Sequence, residues 1–490
     1  MPDSLKKQAI SSLFWSSLDK IGVQVIQLVV SVITARILCP KDFGLIGALS
    51  IFILISNMLV ISGFASALIR KEHVSREEYS AVFFFNTFVS AVLYVILYFC
   101  APLIAGFFKM PELTNLSRLV FTSIILYSFS IIQISRLSRE FKFKKLAAAN
   151  ITSFTLSGII TIILATHGFA YWAVAWQQVL TVGFTMIILW VTNPIKISLN
   201  PDFGFIKSSF KFSSTLLLTG FFNIITSNIY NVIIGKIYRV NELGYYSQAR
   251  RYQQIPTTVF TQILQSVALP TFSKLNTDKE RQLLYLRKMI RIAAFLIFPA
   301  TAILIGLARP IIEIILSEKW LPSAFYFQLL LVGAVVFTFH TLFIQLFVAV
   351  GKVNKYFMLE QINNALVLIS IPIFFGSINH LLIGFAAANI ISYFIDIFVV
   401  NKQTKYRPLT HLKDIAPYAV LSIGVYLIVY FGGMIPGNLY IKTILLAATA
   451  GVFYFLMLYL LGSAVFKELL SLIKKRNKDD ISSEELELNK

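Results

Sequence analysis

The chain has 490 residues, of which 57% are hydrophobic and 13% charged, and its mean hydropathy is +0.76. Soluble domains average about 45–50% apolar and about 25% charged residues, so this composition excludes a soluble enzyme and a protein with a single membrane anchor. The net charge of +20 would suggest nucleic acid on a soluble chain. Here the charge falls in short loops between apolar runs, and no nucleic-acid partner is expected.

The first stretch, Ile10 to Gly44, is long enough to cross a bilayer, since about 20 apolar residues at roughly 1.5 Å each cover the hydrocarbon. It is too long for the core of a cleavable signal. Lys20, Gln24, Gln27, Ser31 and Thr34 recur within it at helical spacing and share one face. A charge at mid-bilayer costs about 2.5–3.5 kcal/mol on insertion scales. That face should therefore turn toward other helices or a water-filled cavity. A helix–helix contact built of Gln and Ser is the alternative for this stripe alone.

About fourteen spans follow from apolar run length and loop signals. They lie near 10–37, 43–64, 79–101, 115–134, 147–166, 171–191, 210–235, 244–269, 288–308, 323–350, 357–376, 381–400, 414–434 and 440–463. The first hairpin, Arg36-Ile37-Leu38-Cys39-Pro40-Lys41-Asp42-Phe43-Gly44, has the form basic–Ile–x4–acidic–apolar–Gly. The same form returns without a gap as Lys236-Ile237-Tyr238-Arg239-Val240-Asn241-Glu242-Leu243-Gly244. Asn223, Ser227 and Asn231 make a polar stripe ahead of it, as the first stripe precedes its own hairpin. A weaker correspondence links Pro102-Leu103-Ile104 with Pro310-Ile311-Ile312. Repeated bundles with a site between the halves are a common transporter plan. Both copies start from the same side, so the repeat is parallel.

The eighth span, Gly244 to Pro270, carries Arg250, Gln254, Thr258, Thr261 and Gln265 on one continuous face, with Arg251 beside it. The arginine pair is expected roughly 10 Å inside the outward boundary. Pro256 should kink this helix and free backbone groups that a lined cavity or neighbours must satisfy. If Lys20 and the arginines line one cavity, it is cationic along its length and suits an anionic substrate, because arginine binds phosphate bidentately. Asp19 adjoins Lys20 and offers it partial neutralisation. Glu360 and Asp396 are the other acidic residues within spans.

Lys and Arg concentrate in alternate loops: Arg70, Lys71 and Arg76; Arg136, Arg139, Lys142, Lys144 and Lys145; Lys274, Lys279, Arg281, Arg287, Lys288 and Arg291; Lys402, Lys405, Arg407 and Lys413. The opposite loops hold Lys41, Lys109, Lys236, Arg239, Arg309 and Lys319. The positive-inside rule makes the first set cytoplasmic and places both termini inside. No HExxH, P-loop or GxSxG pattern occurs, and His167, His340 and His380 read as isolated structural histidines. No cofactor and no metal are expected. With no nucleotide motif, an ion gradient, the membrane potential or consumption of product must drive any transport, and the coupling ion is unidentified. Cys39 and Cys100 offer no disulfide framework; they are expected as free thiols, with a bridge between them as the alternative. The tail from Lys474, beginning Lys474-Lys475-Arg476, reads as a solvated polar end.

These residues resemble a known family. Trp15, the Gln pair and Ala35-Arg36-Ile37-Leu38-Cys39-Pro40-Lys41-Asp42-Phe43-Gly44 are similar to the start of Wzx-type polysaccharide exporters. These are lipid-linked oligosaccharide flippases of the multidrug/oligosaccharidyl-lipid/polysaccharide exporter superfamily, and the likeness is to the colanic-acid and lipopolysaccharide exporter branch. The resemblance covers the whole chain. It implies an all-α integral membrane protein of about 14 helices, with two pseudo-symmetric six-helix lobes in a V. The N-terminal lobe would be 1–200, the C-terminal lobe 201–403, two additional helices 404–463 and a polar cytoplasmic tail 464–490.

The resemblance also implies a non-enzymatic flippase in the bacterial inner membrane. By alternating access it would move a polyprenyl-pyrophosphate-linked oligosaccharide to the outer leaflet, for lipopolysaccharide or exopolysaccharide synthesis. Lys20, Arg250 and Arg251 would engage the pyrophosphate. Gln24, Gln27, Ser31, Asn223, Ser227, Asn231, Gln254, Thr258, Thr261 and Gln265 would line the cavity. Arg36, Asp42, Gly44, Lys236, Glu242 and Gly244 would fix the repeated hairpins, Arg36 pairing with Asp42 and Lys236 with Glu242. Membrane lipids, a polysaccharide polymerase and chain-length machinery are the expected partners of a monomer. A multidrug or cation antiporter, a glycan polymerase or ligase, and a flippase for the peptidoglycan precursor are the competing readings. The scarcity of acids in spans 1, 2, 7 and 8 disfavours the antiporter, and the short outward loops disfavour the polymerase.

Overall fold

The computed structural model describes residues 3–61, 63–71, 73–468 and 471. Lys474, Lys475 and Arg476, with the rest of the polar tail, lie outside the described residues. The helices in chain order are α1 (Asp3–Ile37), α2 (Pro40–Ile61), α3 (Phe64–Arg70), α4 (Arg76–Phe108), α5 (Leu113–Arg139), α6 (Phe143–Thr166), α7 (Tyr171–Thr192) and α8 (Phe203–Ile237). They continue as α9 (Val240–Lys274), α10 (Lys279–Gly306), α11 (Ala308–Leu316), α12 (Pro322–Ala349), α13 (Val353–Ile373), α14 (Ile378–Thr404), α15 (Pro408–Gly433) and α16 (Leu439–Leu460). No strand occurs among the described residues. Every expected span has its helix. Among the described residues, 12 helices are long and apolar enough to cross a membrane. The two long helices outside that set are α8 and α9. Their polar faces are the stripes singled out in the sequence.

Helices run past the apolar spans because caps, not hydropathy, fix their ends. Ser75 and Glu78 form a reciprocal capping box that starts α4. Asp278 accepts from Arg281 N and starts α10 ahead of its apolar run. Arg287, Lys288 and Arg291 are therefore helical rather than loop residues. The segment after Pro102 is likewise no loop, since α4 continues through it to Phe108. Its counterpart after Arg309 belongs to the separate short helix α11. The short helix α3 was not foreseen.

The chain divides into two compact units, Met1–Gln248 and Ala249–Lys490. In the first, α1 packs along α6, α4 along α5, α5 and α6 along α7, and α2 along α8. Close approach of α1 and α6 needs Gly158, where a Cβ would come within 2.5 Å of Val30. Phe64, Leu68, Val82 and Ile132 gather with Phe205 and Ile206 of α8 in one buried cluster. In the second unit, α10 packs on α15, and α12 and α13 on α14. Its core runs through Phe272, Leu286, Phe343, Phe347 and Tyr454, and the Tyr454 hydroxyl donates to Phe295 O at 2.9 Å.

Candidate functional site

The repeated hairpins superimpose in sequence register. α1 and α8 each have 35 residues, and each is followed by a two-residue break before α2 or α9. Both hairpins lie within the first unit. Their glycines mark a reciprocal close contact. A Cβ on Gly44 would fall 2.1 Å from Val240 O, and one on Gly244 would fall 1.9 Å from Pro40 O. Pro40 and Val240 are equivalent first residues of α2 and α9. Only glycine permits this backbone-to-backbone approach.

The acidic motif position has a capping job. Asp42 is buried, and its Oδ2 accepts from Cys39 N at 2.8 Å, which caps α2. A carboxylate in the first turn also complements the helix dipole, and Glu242 holds the same third position in α9. Lys236 Nζ donates to Phe107 O and lies 4.2 Å from the centre of that ring. Arg36 is exposed. Lys41 supplies an ion pair, to Glu112 Oε1 at 2.7 Å. That hydrogen bond holds the Glu112 carboxyl below its ordinary range. Cys39 and Cys100 are free thiols.

Along α1 the polar face changes character. Lys20 is exposed, Gln24 and Gln27 are half-buried, and Ser31 and Thr34 are buried. Thr34 Oγ1 donates back to Val30 O at 2.7 Å, so this end of the stripe is self-satisfied. Asp19 does not neutralise Lys20 by direct pairing. Its two oxygens accept from Asn150 Nδ2 of α6 at 3.2 and 3.0 Å. Lys20 has no hydrogen-bond or ion-pair partner among the described residues.

The α8 stripe repeats the gradient. Asn223 and Ser227 are exposed and bonded to each other at 3.0 Å. Asn231, nearer the hairpin, is buried and donates to Ser50 Oγ of α2 at 3.1 Å.

In the second unit, α9 carries Arg250 half-buried and Arg251, Gln254, Thr258 and Gln265 exposed, with Thr261 half-buried. Thr261 Oγ1 donates to Thr257 O at 2.8 Å. Long polar side chains on an uncovered helix face cannot lie against lipid tails without cost. Pro256 and Pro270 are inside this helix. Lys20 thus belongs to the first unit, and the arginine pair to the second.

Arg118 and Asp414 went unread in the sequence, and His340 was read as isolated. Arg118, inside α5, lies 4.4 Å from the centre of the Tyr98 ring, a cation–π contact. Asp414, 2% exposed, receives both Arg287 and Arg291 of α10 and the Tyr406 hydroxyl at 2.8 Å. This ties α15 to α10. His340 is not isolated: its Nδ1 is 2.7 Å from Asp396 Oδ2, and its Nε2 is 3.9 Å from Glu360 Oε1. Three lone titratable residues, each inside an apolar run, were the available signal.

These features define a multi-pass, all-α membrane protein. The fold is that of lipid II flippase MurJ in its inward closed conformation, at TM-score 0.71 and 17% identity over 91% of this chain and 100% of that one. It is also like an outward-facing multidrug resistance MATE transporter of the MOP superfamily, at TM-score 0.51 and 17% identity over 80% and 95%. At these identities the likeness is one of fold.

The family described as Polysaccharide biosynthesis protein matches residues 33–325, more than half of the chain, and the protein belongs to that family. It is 26% identical over 318 residues to the succinoglycan biosynthesis transport protein ExoT of Rhizobium meliloti, covering 64% of each chain. It is 22% identical over 325 residues to the lipopolysaccharide biosynthesis protein WzxC of Escherichia coli, covering 65% of each. The chain thus spans just under two thirds of the length of these relatives.

Proposed function

We propose that the protein is a flippase that moves a polyprenyl-pyrophosphate-linked oligosaccharide from the cytoplasmic to the outer leaflet of a bacterial inner membrane, by alternating access between two six-helix lobes. The observation that carries this reading is the pair of polar helix faces that each bear cations within a span: exposed Lys20 on α1, and half-buried Arg250 with exposed Arg251 on α9. A pyrophosphate is the anion such groups suit, because guanidinium matches phosphate bidentately and gains strength where water is scarce. The family, and relatives whose names refer to polysaccharide transport and lipopolysaccharide biosynthesis, support a glycan cargo. The solved protein that shares the fold over its full length is named a lipid II flippase. In this reading both termini are cytoplasmic, as the basic loops require. The lobes follow the repeat, 1–200 and 201–403, with α15 and α16 added. A polymerase and chain-length machinery would take the product from the monomer.

A cation antiporter fits less well. The one carboxylate near Lys20, Asp19, is already engaged by Asn150. The test is Arg250→Ala with Arg251→Ala in a strain that depends on this chain for surface glycan. Membrane insertion is expected to persist and surface glycan to fall at least tenfold. Normal glycan from a well-expressed double variant removes the proposed role.

A further inference from the structure

We propose that His340, Glu360 and Asp396 form a proton-binding site in the second unit, through which transport is coupled to a proton gradient. The coupling clause rests on the flippase reading above; the proton site itself does not.

The three residues come from three helices, α12, α13 and α14. Counted from the helix ends, Glu360 lies about 10 Å from the start of α13, while His340 and Asp396 lie about 14 and 12 Å from the ends of α12 and α14. The end of α12 leads into the start of α13, and Lys352 Nζ at that start donates to Gln403 Oε1 near the end of α14 at 2.6 Å, so the cluster sits at one depth within the span. His340 is 3% and Asp396 1% exposed, whereas Glu360 is 30% exposed. Two members are therefore sealed, and the third reaches the surface.

Hydrogen bonding leaves the cluster open. Asp396 Oδ2 takes the Nδ1–H of His340 at 2.7 Å, which turns the Nε2 lone pair toward Glu360. That nitrogen and Asp396 Oδ1 are both buried without a hydrogen-bond partner. The gap of 3.9 Å from Nε2 to Glu360 Oε1 is too long for a hydrogen bond. A purely static clamp would carry this loss for nothing, since an unpaired buried polar atom costs about 1–3 kcal/mol. A proton uses the gap. Glu360 takes a proton from water as its carboxyl O–H. A rotamer change of about 1 Å then lets that O–H break as the Nε2–H forms, leaving an imidazolium between two carboxylates. One proton lowers the buried charge from two negative to one.

Among the described residues, His340, Glu360 and Asp396 have no lysine or arginine as an ion-pair partner. Tyr356 flanks Glu360 on α13. Tyr393, on α14, faces His411 of α15 through its hydroxyl. Beyond His411, Asp414 already holds Arg287 and Arg291 of α10. Asn363, one turn from Glu360, donates to Ser392 Oγ at 3.1 Å and keeps α13 against α14. A metal fits poorly. No group of three or more His, Cys, Asp and Glu among the described residues has metal-holding geometry, and hard cations take oxygen rather than imidazole ligands.

The test is infrared difference spectroscopy of the full-length protein in lipid nanodiscs without cargo, between about pH 5 and about pH 8.5. The wild type is expected to show an imidazolium ring band that titrates, with His340→Gln losing it, Glu360→Asp keeping it and Glu360→Gln shifting its midpoint. A titrating band that survives unchanged in both Glu360→Gln and His340→Gln overturns the site. So does a band that depends on sodium when choline replaces it. Glycan loss in the Arg250 and Arg251 variant with the band intact supports both proposals. Unchanged glycan with the band intact removes the cargo path alone.

Discussion

Replacing Gly44 by alanine tests the packing of the repeated hairpins. The new Cβ would lie 2.1 Å from Val240 O. A relaxed C···O contact is about 3.3 Å, so the two helix starts must part by about 1.2 Å. The atom met is a backbone carbonyl, which has no rotamer to yield. Overpacking of this kind costs about 1–3 kcal/mol. Alanine returns about 0.8–1 kcal/mol of helix propensity, which leaves a net loss of up to about 2 kcal/mol. For a unit of this size that is a fall in Tm of about 2–8 °C.

Gly244→Ala meets Pro40 O at 1.9 Å and should behave alike. The double variant should lose less than the sum, because the first substitution has already parted the helices. Gly451→Ala, with nothing within 4 Å, is the control and should be neutral or slightly stabilising. Thermal unfolding in detergent, followed by size-exclusion of the heated protein, reads all four. If Gly44→Ala and Gly244→Ala melt with the control, the reciprocal contact is not what holds the hairpins together.

Asp414→Ala strands two guanidinium groups and the Tyr406 hydroxyl around a buried site. Removing one partner of such a cluster costs about 3–5 kcal/mol, so the same assay should find it well below Arg291→Ala, which leaves Arg287 in place; equal losses would refute the network. The Lys41–Glu112 pair predicts a small pH effect. Its carboxyl sits below the ordinary value of 4.5 in the folded state. The stabilisation is therefore fully present above that value and is lost as pH falls through the depressed one. Both groups are partly exposed, so the effect is under about 1 kcal/mol. The Tm gap between wild type and Glu112→Gln should close below about pH 4 at low salt, and a constant gap would contradict the pairing.

Much of the fold was legible because each membrane helix declares itself by length and apolarity. The basic–Ile–x4–acidic–apolar–Gly motif located the two hairpins, but their second helices start at Pro40 and Val240, ahead of the expected 43 and 244. What it did not give was the reason for the glycines. A contact between Gly44 and Val240 joins residues far apart in the chain, and spacing within one helix carries no trace of it. Asp42 shows the same limit on a smaller scale. An acidic residue six positions after an arginine invites an ion pair, and that spacing did not show that at the third position of a helix its Oδ2 accepts from the Cys39 amide. His340, Glu360 and Asp396 were each visible as lone titratable residues within apolar runs. Only the packing of α12 and α13 on α14 brings them together.

The depth of the arginine pair is where helix boundaries bear most on function. Apolar length alone starts the eighth span at Gly244 and sets the pair roughly 10 Å inside, within reach of a snorkelling side chain. The helix in fact begins at Val240, which sets Arg250 about 15 Å along it, further from the helix start than apolar length alone places it. Two adjacent guanidinium groups that far along a helix are less easily served by snorkelling alone. Gln254, Thr258 and Gln265 run onward from them along the same exposed face. If instead the pair only anchors α9 at an interface, Arg250→Lys with Arg251→Lys should sustain full glycan output. A phosphate-clasping pair should lose most of it, because an ammonium cannot form the two parallel hydrogen bonds of a guanidinium.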